Sequence, residues 1–430
     1  MNHSLKAPKD QIYWLVQSQK LIQCVTDLQI DVAIVGGGMA GLSAAQAFAD
    51  RGKKVALFEK THCGAGATGK SAGFITPNAE LSFTDFIKRH DYASAVSIWD
   101  MIGHGLQRIE NNIKTHSFDC GYVAQDGLLI ATSKRDMPTI RVEYENLAKA
   151  GYRADLFEEK EIRSIVNSNR YFGGVSYKGS FGVNGYEYCQ ALKKHLVAQG
   201  VLIFEQTEVT GIDDHVLTTP YAKITAEQIV VCVDHFLPEL SVVGDQVYHV
   251  QSFVVASEPL TDSQIALIYP DKKLMAWDTH LIYNYFRLTT DRRLVLGGGD
   301  LFSTYWDTEL HNYRRITRKL TNYFYDAFPQ LADLQFEYQW SGLIGISKDI
   351  APIAGPDVKY PHIYYASGAT GLPIAAALGY YSMEHLLDGR RDMDCYFSPE
   401  RHFMINGLAQ KLLTKKLTFA MSNAWTSSSF

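Results

Sequence analysis

The chain has 430 residues, long for one simple core and suited to two domains at roughly 100–200 residues each. Hydrophobic residues make up 46% and charged residues 20%, a globular balance that excludes wholesale disorder, a collagen repeat and a coiled coil. With 41 Lys+Arg against 46 Asp+Glu the net charge is -5, so no nucleic-acid partner is expected. The six cysteines, Cys24, Cys63, Cys120, Cys189, Cys232 and Cys395, show no CxxC spacing and read as reduced thiols, most of them core filler. The apolar run 12–16 is short and follows Lys6, Lys9 and Asp10, which is unlike a signal peptide, and no stretch is apolar enough for a membrane span. A soluble cytoplasmic protein is the expectation.

In chain order, residues 31–35 form a β-branched run of the kind buried on both sheet faces. A glycine-rich turn follows at once, with Gly36, Gly38 and Gly41 in GxGxxG spacing around Met39 and Ala40. Residues 42–51 place Leu42, Ala45 and Phe48 on one helical face, and Gly52 ends that helix. A second strand, 55–58, closes on Glu59 and then Lys60. The three glycines serve different ends. Gly36 makes the tight turn, Gly38 lets backbone approach a pyrophosphate, and Gly41 permits close helix–strand packing. The phosphate then sits at the positive end of the helix. Glu59 stands where a carboxylate accepts hydrogen bonds from ribose hydroxyls and repels a 2′-phosphate. The order strand, turn, helix, strand, acid predicts dinucleotide binding, and the local motif leaves NAD and FAD open.

Farther on, Asn184 and Glu187 have capping-box spacing at the start of a helix that ends at Gly200. Strands are predicted at 201–205, 229–233, 246–257, within 281–298 and at 362–366. Helices are predicted at 310–328 and 371–387, and the tail 401–416 carries a mixed apolar and basic pattern. Docking of that tail on its own protein is favoured over a peripheral membrane contact. None of the 14 His has HExxH or facial-triad spacing, so no metal site is expected.

Three further segments resolve the choice of dinucleotide. Residues 64–73, GAGATGKSAG, resemble the GASGRNGG loop of the superfamily of glycine oxidase, sarcosine oxidase and D-amino-acid oxidase. Residues 340–355 resemble its penultimate flavin-contacting stretch, and 366–373, ASGATGLP, its final motif. The block 285–299 and the Tyr13-Trp14 extension are most similar to gamma-glutamylputrescine oxidases. The resemblance runs in order over residues 10–396. It implies a Rossmann-like α/β domain that binds FAD, interleaved with an α+β substrate domain on a mostly antiparallel sheet.

The expected segments are 1–29 as an N-terminal extension, 30–90, 151–237 and 338–396 for FAD, 91–150 and 238–337 for substrate, and 397–430 as a tail. The expected FAD contacts are Gly36, Gly38, Met39, Ala40, Gly41, Glu59, Lys60, Ala67, Thr68, Gly69, Lys70, Ser71, Ala72, Gly73, Val209, Gly342, Gly368, Thr370, Gly371, Leu372 and Pro373. The family's loop arginine is Lys70 here, its Asn-Gly is Ser71-Ala72, and Ser367 replaces the common Gly or His. Residues 340–355 contain no Cys and 64–73 no His, the two family tethers, so non-covalent FAD is implied.

The activity implied is oxidation of the C–N bond of a small amine or amino acid, with molecular oxygen as acceptor. A quinone-linked dehydrogenase and a non-catalytic flavin subunit or sensor are the alternatives. Such chemistry asks the protein mainly to orient the reacting carbon and keep the amine neutral. A helix starting near Gly371, with Pro373 in its first turn, would turn its positive end toward reduced flavin. By resemblance Arg287 falls where amino-acid oxidases clamp a substrate carboxylate. Tyr283 and Tyr285 share its strand face, as pocket wall or inter-domain filler. Lys70 is expected at the flavin edge or on the surface.

Overall fold

The computed structural model describes residues 8–15, 22–78, 80–234, 246–304 and 314–401. The tail 401–416 therefore lies almost wholly outside the described residues.

Beside a short sheet of three strands, Phe74–Ile75, Phe181–Gly182 and Val123–Ala124, two large sheets organise the described residues. In the smaller, Leu202–Phe204, Val55–Phe58, Leu28–Val35, Lys223–Val231 and Ile363–Ser367 run parallel in that spatial order. Lys223–Val231 forks, its first half pairing antiparallel with Val216–Thr218 and its second half with Ile363–Ser367. Val32, Ala33 and Ile34 are fully buried, as the β-branched run requires in a sheet covered on both faces. The helices Met39–Asp50, Leu372–Asp388 and Tyr92–His116 pack against one another on this sheet. Glycines set their spacing: a Cβ on Gly379 would lie 2.1 Å from the Ala40 carbonyl oxygen, and one on Gly105 2.1 Å from that of Pro373.

The larger sheet has nine strands in the order Lys9–Asp10, Phe336–Ser347, Val247–Pro259, Arg293–Gly298, Tyr285–Leu288, Met275–Asp278, Gly127–Ile130, Gly174–Tyr177 and Ala154–Phe157. All its pairings are antiparallel except those at Lys9–Asp10 and between Met275–Asp278 and Gly127–Ile130. Along Val247–Pro259 the two faces alternate. Phe253 and Val255 join Leu320 and Phe324 of the helix Arg314–Ala327 in one core, whereas Val254 and Ala256 pack with Trp14, Val295 and Trp340 on the side of the smaller sheet.

The fold class is the one expected, and the interleaving is deeper than the segment boundaries allowed. Ala154–Phe157 and Gly174–Tyr177, expected in the FAD-binding segment 151–237, extend the larger sheet from Gly127–Ile130. Phe336–Ser347, expected mostly within 338–396, pairs along nearly its whole length with Val247–Pro259. Helix Tyr92–His116, expected with the substrate domain, packs on Leu372–Asp388 through its small-residue face. Local pattern named these elements, but long-range pairing decides which sheet receives them.

Candidate active site

A cavity of about 1320 Å³ lies between the sheets and is bounded by both. One half is made from the glycine-rich segments. Gly36 has φ +105°, and a Cβ there would lie 2.7 Å from the Cys232 carbonyl oxygen, so the turn demands glycine. On Gly41 a Cβ would sit 1.9 Å from the Gly36 carbonyl oxygen, and this position serves packing without lining the cavity. Gly38 differs, because a Cβ there would meet only Thr68 Oγ1, at 3.3 Å. Its openness faces the cavity, where close approach by a ligand would require it.

The first N–H groups of helix Met39–Asp50 have no partner within the helix. Thr68 Oγ1 accepts that of Met39 at 3.1 Å, and Gly38 provides no side-chain cap. Glu59 lies at the cavity, with Oε2 accepting from Gly37 N at 2.8 Å and Oε1 from Thr61 N at 2.9 Å. It therefore holds the glycine turn at the cavity wall, with Thr61 Oγ1 also donating to Oε1 at 3.0 Å. Lys60, Ala67, Lys70, Ser71, Ala72, Gly73, Val209, Gly342, Gly368, Thr370, Gly371 and Leu372 also line it, as do Met39, Ala40 and Thr68. Gly69 and Pro373 do not: a Cβ on Gly69 would strike the Gly64 carbonyl oxygen at 2.1 Å, and the Pro373 carbonyl faces Gly105. Both are closely packed positions beside the cavity wall.

The loop 66–71 is fixed from outside. Trp14 Nε1 donates to the Gly69 carbonyl at 2.7 Å, Trp340 Nε1 donates to that of Lys70 at 2.9 Å, and the two indoles meet edge to face. Gly342 has no side chain where Lys70 crosses it; a Cβ there would lie 3.1 Å from Lys70 Cβ. This brings Lys70 onto the cavity wall rather than the protein surface.

The other half of the cavity is aromatic and acidic. Phe74, Trp277, Tyr283 and Tyr285 form a wall, with Phe74 edge-on to both Trp277 and Tyr285. Gly297 admits the Tyr285 ring, since a Cβ would fall 2.1 Å from its Cζ. The Tyr285 hydroxyl is bonded to Ser252 Oγ at 2.9 Å. The Tyr283 hydroxyl donates to Glu80 Oε1 at 3.0 Å. Glu80 lines the cavity and is exposed there, and crowding by nearby protein atoms raises its pKa above the usual carboxylate value, opposed by the Tyr283 hydrogen bond. Sequence reading missed Glu80, which sits in a loop without a motif.

Arg287 is a correction. Its side chain is 1% exposed and is absent from the cavity wall. Nε donates to the Ala72 carbonyl, Nη2 to that of Val183 at 2.6 Å, and Nη1 to that of Leu288 at 3.1 Å. Gly73 and Gly182 leave room for the guanidinium, with Cβ positions only 2.8 and 2.7 Å from its nitrogens. Burial pulls its pKa down to about 10. The expected carboxylate clamp is instead a buttress that ties the larger sheet to the loop at Ala72 and Gly73.

The family described as FAD dependent oxidoreductase, DAO, matches residues 31–382. The chain belongs to the DAO family. Probable oxidoreductase OrdL of Haemophilus influenzae is 26% identical over 355 residues, covering 80% of this chain and 79% of that protein. Gamma-glutamylputrescine oxidoreductase of Escherichia coli is 26% identical over 350 residues, covering 79% of each. Among solved structures, glycine oxidase from Geobacillus kaustophilus has a TM-score of 0.75 at 19% identity, covering 87% of this chain and all of that one.

The protein is thus an FAD-dependent oxidoreductase, and the glycine cradle, helix terminus and Glu59 fit that cofactor. The five cysteines Cys24, Cys63, Cys120, Cys189 and Cys232 are buried and unpaired, and Cys395 is exposed. Cys232 touches the cavity beside Gly36, where burial pushes its thiol well up and keeps it a poor nucleophile. No helix among the described residues is long and apolar enough to cross a membrane.

Proposed function

We propose that the protein oxidises the C–N bond of a small primary amine whose ammonium group is received by Glu80, with molecular oxygen as the final acceptor. The observation that carries this reading is the Glu80–Tyr283 pair on the cavity wall, together with the withdrawal of Arg287 from it. The cation expected to clamp an α-amino acid's carboxylate, Arg287, is bonded to three backbone carbonyls, which leaves Lys60, Lys70 and Arg135 as the Lys and Arg side chains on the wall among the described residues. Similarity to gamma-glutamylputrescine oxidoreductase supports an amine at the end of a longer molecule.

Bound FAD supplies a two-electron acceptor. Glu80 pairs with the incoming ammonium, and its raised affinity for protons lets Oε2 take one from nitrogen, leaving the neutral amine that can lose hydride from carbon. Tyr283 holds the carboxylate in place through Oε1. The aromatic wall orients the methylene and excludes water. The sum is RCH2NH2 + O2 + H2O giving RCHO, NH3 and H2O2, with the imine released and hydrolysed. We propose non-covalent binding of FAD for want of a nucleophilic cysteine at the cavity. The test is an anaerobic screen of primary amines for flavin bleaching, followed by admission of oxygen. Bleaching by an amine and stoichiometric peroxide support the oxidase. Bleaching without peroxide would point to the quinone-linked alternative, and no bleaching by any amine would remove the reading.

A further inference from the structure

On the far edge of the smaller sheet, Asp214, His215 and His362 come together outside the cavity. Asp214 and His215 form the turn between Gly211–Asp213 and Val216–Thr218, and His362 immediately precedes Ile363–Ser367. The turn is tight, with Asp214 at φ +50°. One ligand atom from each of the three lies within 4.8 Å of the others. His362 Nε2 stands 3.4 Å from Asp214 Oδ1, close to the ~3.3 Å separation of two ligands about 2.0–2.1 Å from a tetrahedral zinc ion.

Two details point to a ligand rather than to packing alone. His215 Nδ1 bonds the Ala226 carbonyl at 2.8 Å, which fixes the tautomer and turns an Nε2 lone pair outward, as the outer shell of a metal site does. His362 Nε2 is shielded from solvent and has no hydrogen-bond partner. A cation placed between that nitrogen and Asp214 Oδ1, 3.4 Å away, would satisfy both. The two imidazoles lie face to face at 3.7 Å, so binding one ion requires the His362 ring to turn about its side-chain bonds while His215 stays held by Ala226. Lys359 lies within electrostatic reach of Asp213 and Asp214 and competes with a cation there.

We infer that Asp214, His215 and His362 bind one divalent transition-metal ion of the zinc type, with water as fourth ligand, and that this ion staples the hairpin turn to the strand Ile363–Ser367. Two imidazoles and one carboxylate suit zinc and its neighbours and disfavour calcium or magnesium. The histidines are too far apart in sequence for a spacing motif, which is why none was expected there.

The experiment is calorimetric titration of the chelator-treated, flavin-loaded full chain with zinc chloride. The inference expects one equivalent bound by the wild type, and at least a tenfold loss of affinity in His362→Ala and in His215→Ala with the flavin spectrum unchanged. His116→Ala, which alters a different close pair of histidines, His116 and His195, retains wild-type binding. Zinc also raises the thermal midpoint of the wild type and not of the two site variants. If His362→Ala does not fold, His215→Ala alone carries the comparison. No binding by the wild type, or equal binding by wild type and His215→Ala, overturns the inference.

Discussion

The Tyr283 hydroxyl donates to Glu80 Oε1 across 3.0 Å, joining the segment that leads into the strand Tyr285–Leu288 to the loop at Glu80. The pair brings the cavity an acidic oxygen on an aromatic wall, the combination that receives an ammonium group beside an alkyl chain.

Glu80→Gln should lower kcat/KM for the best amine by roughly 10- to 150-fold, corresponding to about 1.5–3 kcal/mol for a hydrogen bond to a charged group. Tyr283→Phe should lower it less, because the carboxylate survives and loses only its support. Equal, small effects in both variants would show that Glu80 does not touch the substrate.

The pH profile follows from the raised Glu80 pKa. Glu80 must be ionised to receive the ammonium, so wild-type kcat/KM should fall on the acid side at a pH above the ordinary carboxylate range. The linkage has the opposite sign for stability: a carboxyl whose folded pKa is raised destabilises the fold once pH climbs past its unfolded value. Glu80→Gln should therefore remove the acid limb and melt higher than wild type at neutral pH. A limb that persists in the variant belongs to another group.

Arg287→Ala should destabilise the protein by about 3–5 kcal/mol, through carbonyls left without donors and a buried void. Denaturant melts measure this, and flavin retention should fall with it, because Ala72 and Gly73 lose their support. Discrimination between substrates with and without a carboxylate should not change. A loss confined to carboxylate-bearing substrates would restore the clamp.

Gly38→Ala and Gly41→Ala separate cofactor approach from packing. The first should fold and hold FAD weakly; the second should fail to fold, since its Cβ would meet the Gly36 carbonyl oxygen at 1.9 Å. Flavin absorbance against circular dichroism reads both. Full FAD retention in Gly38→Ala would contradict the reading of Gly38.

The glycine cradle was legible in the sequence because each backbone demand leaves a residue signature: Gly36 at positive φ, Gly41 against a carbonyl, Glu59 ending a strand. The end of helix Leu372–Asp388 at Gly371 was legible for the same reason. The destination of Arg287 was not. Its strand face follows from alternation, but the guanidinium goes where Gly73 and Gly182 leave space and where Ala72 and Val183 offer carbonyls, all from distant segments. Glu80 was invisible for a related reason: a single acid in a loop has no period or spacing, and only the folded cavity brings Tyr283 to it.

The most direct test of the account is the rate of anaerobic flavin reduction, measured by stopped flow, with a series of terminal primary amines and with α-amino acids, in wild type and Glu80→Gln. Rapid reduction by an amine in the wild type, slow reduction by amino acids, and selective loss of the amine reaction in Glu80→Gln are the predicted results. Faster reduction by an α-amino acid than by any amine, undiminished in Glu80→Gln, would contradict it.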